Sequence, residues 1–164
     1  MSAASTLSGV GRAYVGLGAN LGDRAATLMR AIELLGERPG IAVVAVSSFR
    51  ETDPVGFLDQ PRFLNAAVEL DTSLTPQALL VALLEIEQEL GRVRTGQRYG
   101  PRTVDLDLLL LDDLTVSMPG LELPHPRLHE RAFALEPLVE LDPSLVVPGR
   151  GTVQQLLLQL QSAP

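Results

Sequence analysis

Apolar residues recur along the chain with two periods, and segments of the two kinds alternate. The apolar run Ala13–Leu17 is typical of a short buried strand. The β-branched run Ile41–Phe49 and the run Phe63–Leu70 predict two more strands. Side chains alternate between the two faces of a strand, so each run should offer one face to a core.

Apolar positions three or four residues apart predict two helices between these strands. The first should begin after Asp23, a plausible N-cap, and end within residues 36–40. The second should open at Thr75-Pro76, because proline is favoured in the first helical turn. We expect Gly91 to end it.

A fourth strand is predicted by the apolar run that ends at Leu111, and weaker signals follow it. These are a helix within Leu128–Val139, which Pro137 should interrupt, and a closing helix over Gly151–Leu160. The order strand, helix, two strands, helix, strand predicts a mainly antiparallel sheet with helices packed on it. This is an α+β fold close to ferredoxin-like.

Three glycines near the end of the first strand admit two interpretations. Gly16, Gly18 and Gly22 partly match a dinucleotide-binding fingerprint, but the third glycine comes one place late. No acidic residue closes a second strand about 20 residues further on, as that motif requires. We therefore interpret these glycines as a tight strand-to-helix turn.

Composition removes several classes of protein. The net charge of -7 disfavours a nucleic-acid binder. Without cysteine there is no disulfide or thiolate chemistry, and without lysine there is no P-loop or Schiff-base lysine.

No apolar stretch approaches the roughly 18 residues that span a bilayer, and the start does not resemble a signal peptide. We expect a cytoplasmic location, no membrane partner, and one domain over residues 12–164 behind a flexible leader at residues 1–11.

The strongest chemical signal lies between the second helix and the fourth strand. Asp105 and Asp107 are two residues apart in an apolar run, so a strand would point both carboxylates the same way. Their mutual repulsion would be relieved by Mg²⁺, which carboxylates usually share with phosphates. The preceding loop holds four residues that can bind phosphate oxygens bidentately: Arg92, Arg94, Arg98 and Arg102.

The aspartate pair and the arginines each have an alternative interpretation without a function. Asp-x-Asp is common by chance, and an arginine-rich loop is usually a solvated surface. Their adjacency favours a site for Mg²⁺ and a polyphosphate.

Several stretches together resemble one family: GLGANLGD (16–23), SSFRETDPVG (47–56), DQPRFLNAAVEL (59–70), IEQELGRVR (86–94), RYGPRTVDLDLLL (98–110) and LPHPRLHERAFALEPL (123–138). The chain resembles the 6-hydroxymethyl-7,8-dihydropterin pyrophosphokinases of folate biosynthesis over nearly all of residues 12–160. The resemblance implies an α+β enzyme that transfers the pyrophosphoryl group of ATP to the pterin hydroxymethyl group and releases AMP. It also implies no nucleic-acid partner, and we expect a monomer.

The resemblance assigns the catalytic groups residue by residue. Asp105 and Asp107 match the aspartates that hold two Mg²⁺ ions. Arg92, Arg94 and Arg102 match basic residues around the triphosphate, the first two in a mobile loop. Asp107 is our candidate for the proton acceptor.

Two substrate subsites follow from the same matches. The pterin subsite comprises Thr52, Asp53, Val55, Phe63, Asn65, Tyr99 and Phe133. Phe63 and Phe133 would stack on the ring, although core packing would be the better interpretation of either phenylalanine alone. The ATP subsite comprises Glu87, Arg94, Leu108, His125 and Arg131. A solvated helix residue is an equal alternative for Glu87, and His125 should act as a neutral donor to phosphate.

Two rival functions remain open. One is another transferase that uses Asp-x-Asp, a metal and a nucleotide, such as a nucleotide sugar. The other is a ferredoxin-like sheet that binds RNA, which six aromatic residues and an acidic chain disfavour.

Overall fold

An antiparallel sheet forms the centre of the protein. The computed structural model describes residues 10–53, 62–93 and 104–162, without the side chains of residues 92 and 93. The sheet comprises β1 (Gly11–Ala19), β2 (Ile41–Val46), β3 (Arg50–Thr52), β4 (Phe63–Thr72) and β5 (Asp105–Leu111). The long strands lie in the order β2-β4-β1-β5, and β3 pairs with the start of β4. Every pairing is antiparallel.

Helices cover both faces of this sheet. They are α1 (Arg24–Glu37), α2 (Pro76–Val93), α3 (Ala132–Leu141), α4 (Val153–Ser162) and a 3-10 turn at Leu128–Glu130. Small hairpins join β6 (Val116–Met118) to β7 (Leu121–Leu123) and β8 (Val146–Val147) to β9 (Gly151–Thr152). The series β1, α1, β2, β4, α2, β5 is the ferredoxin-like order, which confirms the expected α+β fold. Within the described ranges, no helix combines the length and the apolarity needed to cross a membrane.

Two hydrophobic clusters lie on opposite faces of the sheet. Strand alternation sends Ala13, Val15 and Leu17 of β1 into the larger cluster, with α1 and α2. Tyr14 points the other way, into the smaller cluster with α3 and α4. The central strand is buried on both faces, which explains its nearly continuous apolar run.

A β-bulge in β5 shifts the alternation of that strand. Tyr14 pairs with Leu110 and Val15 with Leu108, which leaves Leu109 as the extra residue. Leu106 and Leu108 face the larger cluster. Asp105 and Asp107 therefore share the opposite face, the one that α3 covers.

Three expectations about glycine and strand ends were wrong. Gly16 and Gly18 lie inside β1, and only Gly22, with φ of 65°, lies in the turn before α1. Gly91 does not end α2, which runs on to Val93, because a glycine can also continue a helix. The strand expected over Ile41–Phe49 ends at Val46, and β3 is a separate strand.

By contrast, Asp23 caps α1 as expected, since its side chain accepts the Ala26 N–H at 3.1 Å.

Pro137 does not interrupt α3, contrary to the sequence prediction. The helix runs from Ala132 to Leu141 with Pro137 inside it. Proline offers no N–H to the carbonyl four residues earlier, at a cost of about 3 kcal/mol. Burial of Leu135 and Leu138, both 0% exposed, offsets that cost against the sheet.

Candidate active site

A cavity of about 670 Å³ opens on the face of the sheet that α3 covers. Strands β1, β4 and β5 form its floor, and the segment from His125 to Glu136 forms a wall. This volume is typical of small-molecule sites. The cavity is therefore large enough to hold a heterocycle and part of a nucleotide.

Two glycines form the middle of the floor. Gly18 pairs with Asn65 of β4 on one side and with Asp105 of β5 on the other. Gly16 likewise pairs with Asp107 of β5. Because neither glycine has a side chain, Asn65 and the two carboxylates border one open space.

The two aspartates form the acidic side of the cavity. Asp105 and Asp107 both line it, and both are half-buried. In the part of the chain that the structure describes, no group of three or more His, Asp or Glu side chains gathers as a metal cage. A pair of carboxylates fits Mg²⁺, which commonly takes one or two carboxylates and completes its shell with phosphate oxygens and water.

Glu87 lies behind these aspartates and contacts the backbone between them. Its carboxylate accepts the N–H of Leu106 at 2.6 Å. β5 is the outer strand of the sheet, so this N–H points away from β1 and needs a partner from elsewhere. Glu87 thus fixes the edge strand that carries both carboxylates.

Asn65 and Thr52 form a polar pair on the opposite side of the floor. Asn65 is 6% exposed, and its Nδ2 donates a hydrogen bond to the Thr52 hydroxyl. Thr52 pairs with Phe63 across β3 and β4, so all three line the same part of the cavity. Asp53 also lines the cavity, although its side chain is exposed and pairs with Arg62 at 3.2 Å.

Two aromatic rings border the cavity, and neither is fully buried. Phe63 lies at the start of β4, and Phe133 lies in the first turn of α3. The Arg131 guanidinium lies over the Phe133 ring, with Cζ 5.5 Å from the centroid. Arg131 therefore lies against one face of this ring.

His125 borders the cavity on the acidic side. Its Nδ1 accepts the backbone N–H of Arg127 at 3.1 Å, so in the neutral ring the proton is on Nε2. Burial lowers the pKa of His125, and the positive charges of Arg131 and Arg127 lower it further, although Asp107 acts in the opposite direction. The neutral form, with an N–H to donate, should dominate near pH 7.

Glu140 fixes α3 against the sheet at the end remote from Phe133. Its carboxylate accepts the backbone N–H of Ser48 at 2.9 Å, the Ser48 hydroxyl at 2.7 Å and Arg50 Nη2 at 3.0 Å. The Ser48 hydrogen bonds, with that from Arg50, lower the pKa of Glu140. The contact joins the helix that carries Phe133 to the segment that leads into Thr52.

The structure brings most of the described site residues together. Those that line the cavity are Thr52, Asp53, Phe63, Asn65, Asp105, Asp107, His125, Arg131 and Phe133. Glu87 lies behind β5, and the Leu108 side chain is 5% exposed in the larger core, so only its backbone is available to a ligand. The remaining predicted groups lie outside the described residues: Val55, the side chain of Arg92, Arg94, Arg98, Tyr99 and Arg102.

Sequence reasoning did not assign Gly16 or Gly18 to the site. The available signal was two glycines at strand spacing inside an apolar run. Arg127 and Glu130 also line the cavity and were not predicted, since surface charges at those positions carry no distinguishing pattern.

Fold and cavity together define a ferredoxin-like α+β protein with a small-molecule site bordered by acidic, amide and aromatic groups. The sequence model of the 7,8-dihydro-6-hydroxymethylpterin-pyrophosphokinase family matches residues 14–143. The chain belongs to that family.

Relatives of known name agree with this membership. The chain is 52% identical to a 2-amino-4-hydroxy-6-hydroxymethyldihydropteridine pyrophosphokinase from Methylorubrum extorquens over 149 residues, which cover 91% of this chain and 93% of that protein. It is 50% identical to the protein of the same name from Bacillus subtilis over 129 residues, which cover 79% and 77% of the two chains.

Solved structures support the same fold. A Plasmodium falciparum HPPK-DHPS crystal structure matches with a TM-score of 0.73 at 15% identity, over 92% of this chain and 45% of that chain. The chain thus spans less than half the length of that protein, and at this identity the similarity shows the fold alone.

Replacing Glu87 tests its role behind β5. Glu87→Leu removes the acceptor of the Leu106 N–H, on a residue only 4% exposed, and should lower the free energy of unfolding by about 1–3 kcal/mol. Glu87→Gln keeps a carbonyl oxygen in place and should cost less. Urea unfolding measures both variants. The control is Glu85→Leu, which removes only an exposed pair with Arg38; an equal loss in that variant would contradict the assignment.

The pKa of His125 provides a second test, of whether burial keeps the imidazole neutral. Because burial is the largest cause of its shift, the imidazole should titrate with a pKa below its ordinary value of about 6.5. Proton NMR of the ring Cε1–H, followed from pH 8 to pH 5 without metal, measures it, and His125→Asn assigns the resonance. A midpoint at or above about 6.5 would show that Asp107 outweighs burial.

Proposed function

We propose that this chain transfers the pyrophosphoryl group of ATP to the hydroxymethyl group of 6-hydroxymethyl-7,8-dihydropterin. The products are AMP and the pterin diphosphate, in a step of folate biosynthesis. One observation carries the proposal: Asn65 with the aromatic rings, and Asp105 with Asp107, border a single cavity across a floor of glycines. Family membership and the names of the relatives support it.

The pterin subsite lies on the Asn65 side of the floor. A carboxamide offers a donor and an acceptor, which suits the amino-pyrimidinone edge of a pterin. Phe63 and Phe133 supply aromatic contact area at low entropic cost. Val55, Tyr99 and the backbone of Asp53 complete this subsite in the proposal.

ATP lies on the acidic side of the same cavity. His125 donates from Nε2 to a phosphate oxygen, and Arg131 contributes a positive charge beside it. Glu87 and the backbone of Leu108 contact the nucleotide at the outer edge of β5. Arg92, Arg94 and Arg102 hold the triphosphate in the proposal.

The reaction forms one bond and breaks one. The pterin hydroxymethyl oxygen bonds to the β-phosphorus of ATP, and the bond from that phosphorus to the oxygen bridging the α-phosphate breaks, so AMP leaves with that oxygen. Asp105 and Asp107 would hold two Mg²⁺ ions, which would neutralise charge on the triphosphate. Asp107 also accepts the proton that the hydroxyl group loses. Positioning and electrostatics thus do most of the work.

We propose that the protein acts as a monomer. A nucleotide-sugar transferase remains the rival from another class of enzyme. It needs the same carboxylates but has no use for an amide that shares the cavity with two aromatic rings.

AMP formation tests the proposed function directly. The chain, incubated with ATP, Mg²⁺ and 6-hydroxymethyl-7,8-dihydropterin, should form AMP and pterin diphosphate in equal amounts, measured by anion-exchange chromatography. Removal of Mg²⁺ with EDTA should abolish the reaction. Release of ADP, or AMP formation that does not depend on the pterin, would overturn the proposal.

Asp107→Ala separates chemistry from pterin binding. Loss of a metal ligand and of the proton acceptor should reduce turnover by at least about a thousandfold. Pterin affinity, measured by fluorescence titration, should stay within about threefold, because Asn65 and Phe133 are unchanged. The control is Asp113→Ala, which removes an exposed carboxylate just beyond the end of β5 and outside the cavity. Near-normal turnover in Asp107→Ala would contradict the assignment.

A further inference from the structure

Gly18 differs from the other glycine of the floor in what a side chain would meet there. A Cβ at Gly18 would lie 2.9 Å from Oδ1 of Asn65, which is closer than real Cβ atoms approach, and 3.9 Å from Cδ1 of Phe63. At Gly16 the nearest atom would be Cδ1 of Leu109 at 3.3 Å, on a flexible side chain. Of these two glycines, only Gly18 therefore has a polar group of the cavity at the position that a Cβ would need.

Asn65 has little freedom to move away from such a Cβ. It is 6% exposed, and its Nδ2 already donates to the Thr52 hydroxyl. Gly18 and Asn65 are directly paired on neighbouring strands, so the amide has Gly18 on one side and Thr52 on the other. A displacement large enough to relieve the contact would lengthen or break the bond to Thr52.

We infer that Gly18 is a positioning residue for the pterin. The lack of a side chain lets the Asn65 carboxamide lie flat against β1, with Oδ1 over Gly18 and Nδ2 on Thr52. The amide thereby presents its donor and acceptor in a single orientation to the ring. This inference rests on the proposed function for the identity of that ring, but the contact between Gly18 and Asn65 does not.

Replacing Gly18 by alanine should have the opposite effect on stability to most such replacements in a strand. Glycine weakens strand interiors, so replacement by alanine is normally neutral or stabilising. Gly18→Ala should instead destabilise the fold and weaken pterin binding by about tenfold, the loss of roughly one well-placed hydrogen bond. The affinity for ATP should change by less than about twofold, because the phosphate side of the cavity does not depend on Asn65.

A double-mutant cycle tests whether Gly18 acts through Asn65. The variants are Gly18→Ala, Asn65→Ala and both together, and the probe is 6-hydroxymethylpterin, titrated by its own fluorescence with Mg²⁺ and a non-hydrolysable ATP analogue. In the Asn65→Ala background, Gly18→Ala should weaken binding by less than about twofold, since the clashing atom is gone. Effects that simply multiply would overturn the inference, as would wild-type pterin affinity in Gly18→Ala.

Thermal unfolding of the same four proteins gives an independent readout. Gly18→Ala should melt below the wild type, and the double variant should melt no lower than Asn65→Ala alone. If Gly18→Ala does not fold, a folded double variant supports the inference and an unfolded one overturns it. If the wild-type chain binds no pterin, the proposed function has failed, whereas the unfolding data still decide the contact.

Two further glycines in the chain serve as matched controls. Gly16→Ala lies on the same strand and face, and its unfolding temperature should match or exceed that of the wild type. Gly36→Ala lies in α1, where a Cβ would be 3.7 Å from Cγ2 of Val43, and it should leave pterin binding unchanged. A destabilised Gly16→Ala would show that any side chain on this face of β1 is harmful, and the inference would fall.

Discussion

Both the core and the cavity follow from the period-two alternation of side chains along β1. One face of the strand sends Ala13, Val15 and Leu17 into the larger core, and this burial holds the middle of the sheet in place. The other face carries Gly16 and Gly18 where the strand passes under the cavity. A shift of register by one residue would exchange the two faces and put leucine and valine side chains into the site.

The glycine floor leaves room in the cavity for several charged side chains. Asp105 and Asp107 lie on the edge strand and line the cavity, and His125 and Arg131 line it from the wall formed by residues 125–136. Two neighbouring carboxylates repel each other, and a divalent ion with a phosphate ligand relieves that repulsion. Two carboxylates hold the elements that carry these groups: Glu87 accepts a backbone N–H of β5, and Glu140 of α3 accepts the N–H of Ser48.

Much of this arrangement could be predicted from residue pattern and family resemblance. Helical and strand periods predicted the ferredoxin-like order of elements, and Asp-x-Asp in an apolar run predicted two carboxylates on one face. The resemblance predicted the amide and the aromatic rings that line the cavity. The same reasoning failed at Gly91 and Pro137, where local propensity favours a break but the helix continues. At Pro137, burial of Leu135 and Leu138 offsets the lost hydrogen bond. It also failed at Gly16 and Gly18, because a glycine pair near a strand end looks the same whether it forms a turn or a floor.

The order of the main elements, the pair of acids and the family could be predicted, because they depend on residue type and spacing along the chain. Three features emerge only in the folded molecule: Gly18 lies against Asn65, Glu87 holds the edge of β5, and Leu108 faces the core. Contacts of this kind join residues from 19 to 92 positions apart, such as Glu87 with Leu106 and Ser48 with Glu140. They follow from strand register and from the bulge at Leu109, which no local pattern of residues specifies.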